Sequence, residues 1–186
     1  MSKLAKGVLS SPGASACRFG GPTLADVTHR AKVLTVSDGV VAGTREDRSG
    51  AAVVELLSRF GYTVEAAEAV ADGADVVADA VRRLSDGFTG LVVTTGGTGF
   101  GPRDLTPEGT SAVLEREAPG LAEAMRAVSP KGALSRGRAG TIGTTLVLNL
   151  PGSPGGAVES LEAVLGVLPH ALDLLGGARP EGPHRV

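Results

Sequence analysis

The chain has 186 residues, 42% hydrophobic, 20% charged and 3% aromatic, with a formal net charge of -2. That suits one domain with a proper core, and without a basic stripe or stacking rings it excludes an ordinary nucleic-acid binder. A single cysteine, Cys17, excludes an internal disulfide framework and any multi-cysteine metal site, while no apolar stretch is long enough to span a membrane, so a reducing cytoplasm is the expected setting.

Residues 1–30 contain SSPGASACRFGGPT and lack sustained periodicity, which reads as a mobile tail with Cys17 as a lone thiol in it. Regular alternation begins at AKVLTVS (31–37), a short β-branched run expected to be a buried strand. Ser49 then stands where a helix cap belongs, ahead of a helix with Val53, Leu56, Leu57 and Phe60 on one face and Gly61 at its end. YTVEAAEAV (62–70) reads as a second strand, and Asp72 as the cap of a helix burying Val76, Val77, Ala80, Val81 and Leu84. GLVVTT (90–95) is the clearest strand. Beyond it, Thr106-Pro107-Glu108 predicts a helix start, with the helix reaching about Glu117. Another helix is expected from APGLAEAMRAVS, a strand from GTTLVLNL (143–150), a loop from LPGSPGG, and one or two closing helices around Pro169. Residues 178–186 read as a C-terminal tail, leaving one domain over 31–177.

Strands alternating with helices predict a doubly wound, mostly parallel sheet with helices on both faces. Ligands bind beyond the carboxyl ends of the strands in that architecture. Three loops leave such ends, at 37–50, 95–109 and 150–156, and all are rich in small polar residues, glycine or proline.

The middle loop, TGGTGFGPRDLTPEG, sets Gly96, Gly97, Gly99 and Gly101 just ahead of Arg103 and Asp104. Consecutive glycine amides suit an anion. The stretch is neither a P-loop, since no Gly-Lys-Ser/Thr follows, nor a dinucleotide fingerprint, since Pro102 stands in place of its third glycine. A carboxylate beside phosphate oxygens repels them unless a divalent cation lies between, so Asp104 points to a phosphate ester carrying magnesium. Asp38, Asp47 and Asp72 lie on segments that can reach the same rim, although an Asx-turn, solvent and a helix cap are the respective plain explanations. Arg103 serves either a ligand or a surface acid. Metal-bridged phosphoryl or nucleotidyl transfer requires no protein nucleophile. None of the histidines, His29, His170 and His184, suggests a catalytic role.

TVSDGVVAGTREDRSG, TTGGTGFGPRDLTPEGT, GALSRGRAGTIGTTLVLNLPGSP and ALDLLGG, taken in order, resemble the Mog/MoaB-type molybdopterin-binding domain over about residues 31–177. That family includes the molybdopterin adenylyltransferases and the N-terminal domain of gephyrin. The resemblance implies a cytoplasmic homotrimer that uses Mg²⁺ and ATP: the terminal phosphate of molybdopterin attacks the α-phosphate of ATP, giving adenylyl-molybdopterin and pyrophosphate. The product would pass to a molybdenum-insertion enzyme. Carried over by position, Asp104 is the catalytic, magnesium-associated acid and Asp72 a second catalytic aspartate. Ser37, Asp38, Gly96, Gly97, Thr98 and Gly99 fall to the nucleotide, and Ser135, Arg136, Asn149, Pro151, Gly152 and Ser153 to molybdopterin. Gly109 departs from the pattern, which suggests a small residue there, often alanine; glycine is expected to loosen the helix start by up to ~1 kcal/mol. The alternatives are a molybdopterin-binding protein without adenylyltransferase activity, a gephyrin-like scaffold, for which the chain shows no second domain or long linker, and a related nucleotidyl-transfer enzyme with another substrate.

Overall fold

The computed structural model describes residues 29–177. Cys17, His184 and the C-terminal stretch 178–186 lie outside these residues, as does the expected N-terminal tail apart from its last two positions. There the first strand, β1 (Arg30–Val36), already begins, one residue earlier than expected. The chain continues through α1 (Asp38–Val41), α2 (Arg48–Arg59), β2 (Thr63–Val70), α3 (Ala74–Ser85), β3 (Gly90–Thr95), α4 (Thr106–Ser111), β4 (Arg116–Glu117) and α5 (Pro119–Ala127). A 3₁₀ turn at Pro130–Leu134 leads to β5 (Ala139–Ile142), β6 (Thr145–Leu150), α6 (Pro154–Leu165) and α7 (Leu168–Leu175).

All six strands form one sheet in the order β2-β1-β3-β6-β5-β4. The first four run parallel, while β5 and β4 are antiparallel additions that the sequence did not announce. Period-two alternation divides the core. Ala31, Val33, Leu91, Val93, Leu146 and Leu148 face α2, α5, α6 and α7, whereas Leu34, Val36, Val92 and Val147 face α3. β1, β3 and β6 are therefore apolar on both sides, which is why they stood out as continuous runs. The strand order reverses between β1 and β3, so their carboxyl ends form the topological switch point.

Several helix ends differ from expectation. Asp47, not Ser49, caps α2: its Oδ1 accepts the Gly50 N–H at 2.8 Å, and Ser49 is buried in the first turn. Gly61 does end that helix, at φ +82°, with Tyr62 N–H returning to Leu57 O and Gly61 N–H to Ser58 O. Phe60 is not on the buried face; it is 54% exposed. Gly73, not Asp72, precedes α3 and offers no side-chain cap, and Val76 is exposed while Val77, Ala80, Val81 and Leu84 are buried. α4 stops at Ser111 rather than near Glu117, because the chain turns there to pair Arg116 and Glu117 with β5.

Gly109 has a packing role that propensity hides. A Cβ at this position would collide with the Ala74 carbonyl oxygen and lie 2.9 Å from Val77 Cβ, so α4 seats its backbone directly on the start of α3. Gly109→Ala is expected to destabilise the fold by about 2 kcal/mol, the overpacking cost outweighing a helix-propensity gain of up to ~1 kcal/mol. Urea denaturation measures this, and a raised midpoint would reverse the conclusion.

Candidate active-site cleft

The loops after β1, β2, β3 and β6, together with the 3₁₀ turn, enclose a cleft of about 640 Å³ at the switch point. Ser37, Asp72, Gly96, Gly97, Thr98, Gly99, Asp104, Ser135, Pro151, Gly152 and Ser153 line it. Sequence neighbours did not bring these residues together; the topology did, by carrying four separate strand ends to one edge.

Each wall has a local cause. Ser37 follows β1, and its Oγ accepts the Val40 N–H at 3.3 Å, starting α1. Asp47 does more than cap α2, since its Oδ2 also accepts a hydrogen bond from Thr35 Oγ1 at 2.6 Å and fixes the loop to β1. In the glycine-rich loop, Gly96 and Gly97 adopt φ +105° and +60°. Gly96 N–H donates to Leu150 O, and Gly101 N–H donates to Asp104 Oδ2 at 2.8 Å. Among the described residues no acceptor takes the N–H groups of Gly97, Thr98 or Gly99. Three successive amides thus remain for an anion on the cleft wall, as the glycine spacing suggested. The loop after β6 packs against them: a Cβ on Gly152 would sit 3.1 Å from Gly96 Cα, and Thr95 Oγ1 donates to Pro151 O at 2.8 Å.

Asp38, Arg136 and Asn149 do not line the cleft. Asp38 accepts hydrogen bonds from Arg103 Nε at 2.7 Å and Nη2 at 2.9 Å. It also exchanges bonds with Asp72: Asp38 N–H donates to Asp72 Oδ2 at 2.8 Å and Asp72 N–H to Asp38 Oδ1 at 3.1 Å. Arg103 closes the knot by donating to Asp72 O at 2.8 Å. The Arg103 hydrogen bonds, aided by the Asp72 N–H and the arginine charge, hold the Asp38 carboxyl below the usual carboxylate range despite partial desolvation. This knot fastens the loops after β1, β2 and β3 to one another and aims Asp72 at the cleft.

Arg136 works from the opposite side. Its N–H donates to Thr98 O at 2.9 Å and its Nε to Gly99 O at 2.7 Å, while Nη2 bonds Asp104 O and Nη1 pairs with Glu108. Burial pushes Glu108 up, but the Arg136 hydrogen bond, its own N–H and the charges of Arg136 and Arg138 hold it below the ordinary range. Arg136 thus clamps the glycine-rich loop by its carbonyls and takes up none of its amides. Asn149 is buried in β6, where its Nδ2 donates to Thr94 Oγ1 at 2.9 Å and Thr110 Oγ1 at 3.0 Å, and its Oδ1 accepts the Arg138 N–H. With both ends of its amide committed, it joins β3, β6 and α4.

Among the described residues no group of three or more His, Cys, Asp or Glu side chains forms a metal cluster. Asp72 and Asp104 are on the wall beside free amides, which fits magnesium arriving on phosphates, where one or two carboxylates complete a largely water- and phosphate-filled shell. Among the cleft residues that the sequence reading missed are Arg45, Arg48, Lys131 and Leu134. Arg45 lies on the α1–α2 connection, and Lys131 and Leu134 on the 3₁₀ turn, segments without a periodic pattern, while Arg48 is the first residue of α2, ahead of its apolar face.

The family described as "probable molybdopterin binding domain" matches residues 32–170. A molybdopterin adenylyltransferase of Helicobacter pylori is 41% identical over 157 residues, covering 78% of this chain and 86% of that protein. The crystal structure of the molybdopterin biosynthesis enzyme MoaB from Thermus thermophilus is 51% identical with a TM-score of 0.77, over 81% of this chain and 98% of that one. The molybdopterin biosynthesis Mog protein from Mycobacterium ulcerans is 38% identical with a TM-score of 0.74, over 80% and 99%. Its fold, its cleft and a match spanning most of its length agree: the chain belongs to the molybdopterin-binding domain family.

Proposed function

We propose that this protein is a molybdopterin adenylyltransferase of molybdenum cofactor biosynthesis, joining molybdopterin to the AMP moiety of ATP with release of pyrophosphate, with residues 31–177 as the working domain. The observation that carries this reading is the pairing of Asp72 and Asp104 on one cleft wall with the open amides of Gly97, Thr98 and Gly99. The two carboxylates would repel bare phosphate oxygens beside those amides; magnesium between them removes the conflict.

Ser37 and Gly96 to Gly99 bind and orient the nucleotide phosphates. Ser135 and the Pro151-Gly152-Ser153 turn hold molybdopterin so that its terminal phosphate lies in line with the α-phosphate. Asp104 and Asp72 hold magnesium, which, when bound, neutralises charge developing on the phosphates. Asp38, Arg136 and Asn149 act as positioning residues, since their polar atoms are spent on holding the walls. No side chain acts as nucleophile, and catalysis rests on alignment and electrostatics. The work is assigned to the cytoplasm, with hand-over to a molybdenum-insertion enzyme.

Mass spectrometry of molybdopterin incubated with Mg²⁺ and ATP tests the reading. Adenylyl-molybdopterin is the expected product; tight binding of molybdopterin without any product would establish a binding protein instead. The active form is assigned as a homotrimer. Sedimentation at micromolar concentration should give three times the chain mass, and a monomer would refute the assignment.

A further inference from the structure

Among the described residues, every arginine and lysine is engaged by a carboxylate, carbonyl or hydroxyl except three, Arg45, Arg48 and Lys131. All three line the cleft. We propose that they form two anion subsites flanking the glycine-rich loop: Arg45 and Arg48 for the departing pyrophosphate, and Lys131 for the terminal phosphate of molybdopterin. This rests on the adenylyltransferase reading.

Topology separates the two groups. Arg45 stands on the α1–α2 connection beyond β1 and Arg48 at the start of α2, whereas Lys131 stands on the 3₁₀ turn before β5, close to Ser135. β3 and its glycine-rich loop lie between β1 and β6, so the cations bracket that loop. Their backbones are fixed while their side chains are not. Arg45 N–H donates to Gly39 O at 3.0 Å, and Lys131 N–H donates to Ser129 Oγ at 3.3 Å. Arg48 opens α2, whose first turn contains no acid. A cation there opposes the positive end of the helix dipole and weakens the helix slightly. The Asp47 carboxylate caps the same helix end but, among the described residues, forms no ion pair with Arg48, whose guanidinium stays open to an incoming polyphosphate. Glu46 lies between the arginines on the same wall without an ion pair to either.

The chemistry calls for charge at both ends. An oxygen of the molybdopterin phosphate forms a bond to the α-phosphorus of ATP as the bond from that phosphorus to the bridging oxygen of the β-phosphate breaks. The electron pair leaves with pyrophosphate, where negative charge accumulates against Arg45 and Arg48. Lys131 holds the attacking phosphate and reduces its repulsion from the nucleotide.

The test uses the full chain, the double variant Arg45→Gln/Arg48→Gln, and Lys131→Met. Calorimetric titration with magnesium pyrophosphate and, separately, with molybdopterin gives the dissociation constants, and steady-state kinetics give the KM for ATP. The double variant should bind pyrophosphate at least about 10-fold more weakly and raise the KM for ATP, with molybdopterin affinity within about twofold of wild type. Lys131→Met should reverse that pattern. Melting temperatures should not fall, because none of the three side chains has a partner among the described residues, and removing the Arg48 cation from the start of α2 can only raise stability slightly. Pyrophosphate affinity in the double variant within about twofold of wild type overturns the inference, as does a wild type that binds no pyrophosphate. Since binding is measured without turnover, a wild type that binds both anions yet makes no adenylyl product instead refutes the enzyme reading.

Discussion

Asp104→Asn is expected to lower adenylyl transfer by about 10²–10³-fold, the usual loss when one preorganised electrostatic element is removed from a reacting centre. The fold should survive. Asp104 Oδ2 accepts the Gly101 N–H, and an asparagine amide oxygen can accept the same bond. The main-chain carbonyl of residue 104 still receives Arg136, and its N–H still reaches Gly101 O at 3.0 Å. What disappears is a formal charge against the substrate phosphates. Molybdopterin affinity should hold, because Ser135 and Pro151 to Ser153 occupy another part of the wall. Thermal shift, molybdopterin titration and turnover on the same preparation separate these effects. Turnover within about threefold of wild type would remove Asp104 from the chemistry.

Gly96→Ala should damage both stability and nucleotide binding. At φ +105° an alanine is strained, at roughly 1–2 kcal/mol. Its Cβ would also collide with the Val36 carbonyl oxygen, a main-chain atom in the core strand β1 that cannot move aside. Together these give an expected loss of about 2–4 kcal/mol. The loop must yield, and with it the bond from Gly96 N–H to Leu150 O and the contact with Gly152. Gly155→Ala is the control, since it lies in the first turn of α6 with open space around its added methyl. Its urea midpoint should match or slightly exceed that of wild type. Equal midpoints for the two variants would mean that Gly96 tolerates a side chain.

How much of this was legible in the sequence depends on the range of the interaction. β1, β3 and β6 declared themselves because burial on both faces leaves no polar alternation. The glycine-rich loop and Asp104 were legible because steric freedom and charge are properties of single residues. The β4–β5 pair was not, since RE and AGTI are too short to carry a period and exist through pairing with each other and with β6. The cap of α2 was misplaced by two residues because Asp47 and Ser49 are both good caps, and only the bond to Thr35 decides between them. Asp72 looked like a cap and is instead half of the exchange with Asp38, 34 residues away. Arg136 and Asn149 were placed at a ligand by position, yet their bonds to Gly99, Asp104, Thr94 and Thr110 come from distant parts of the chain. Polar residues in a loop or an apolar strand announce importance without saying which partner they serve.

Single-turnover pyrophosphate release is the most direct measurement of the central claim, with enzyme in excess over molybdopterin and with Mg²⁺ and ATP supplied. The account predicts one pyrophosphate released per molybdopterin, none when molybdopterin or Mg²⁺ is omitted, and loss of the burst in Asp104→Asn. Pyrophosphate release that ignores molybdopterin, or its absence from a wild type that binds both substrates, would contradict it.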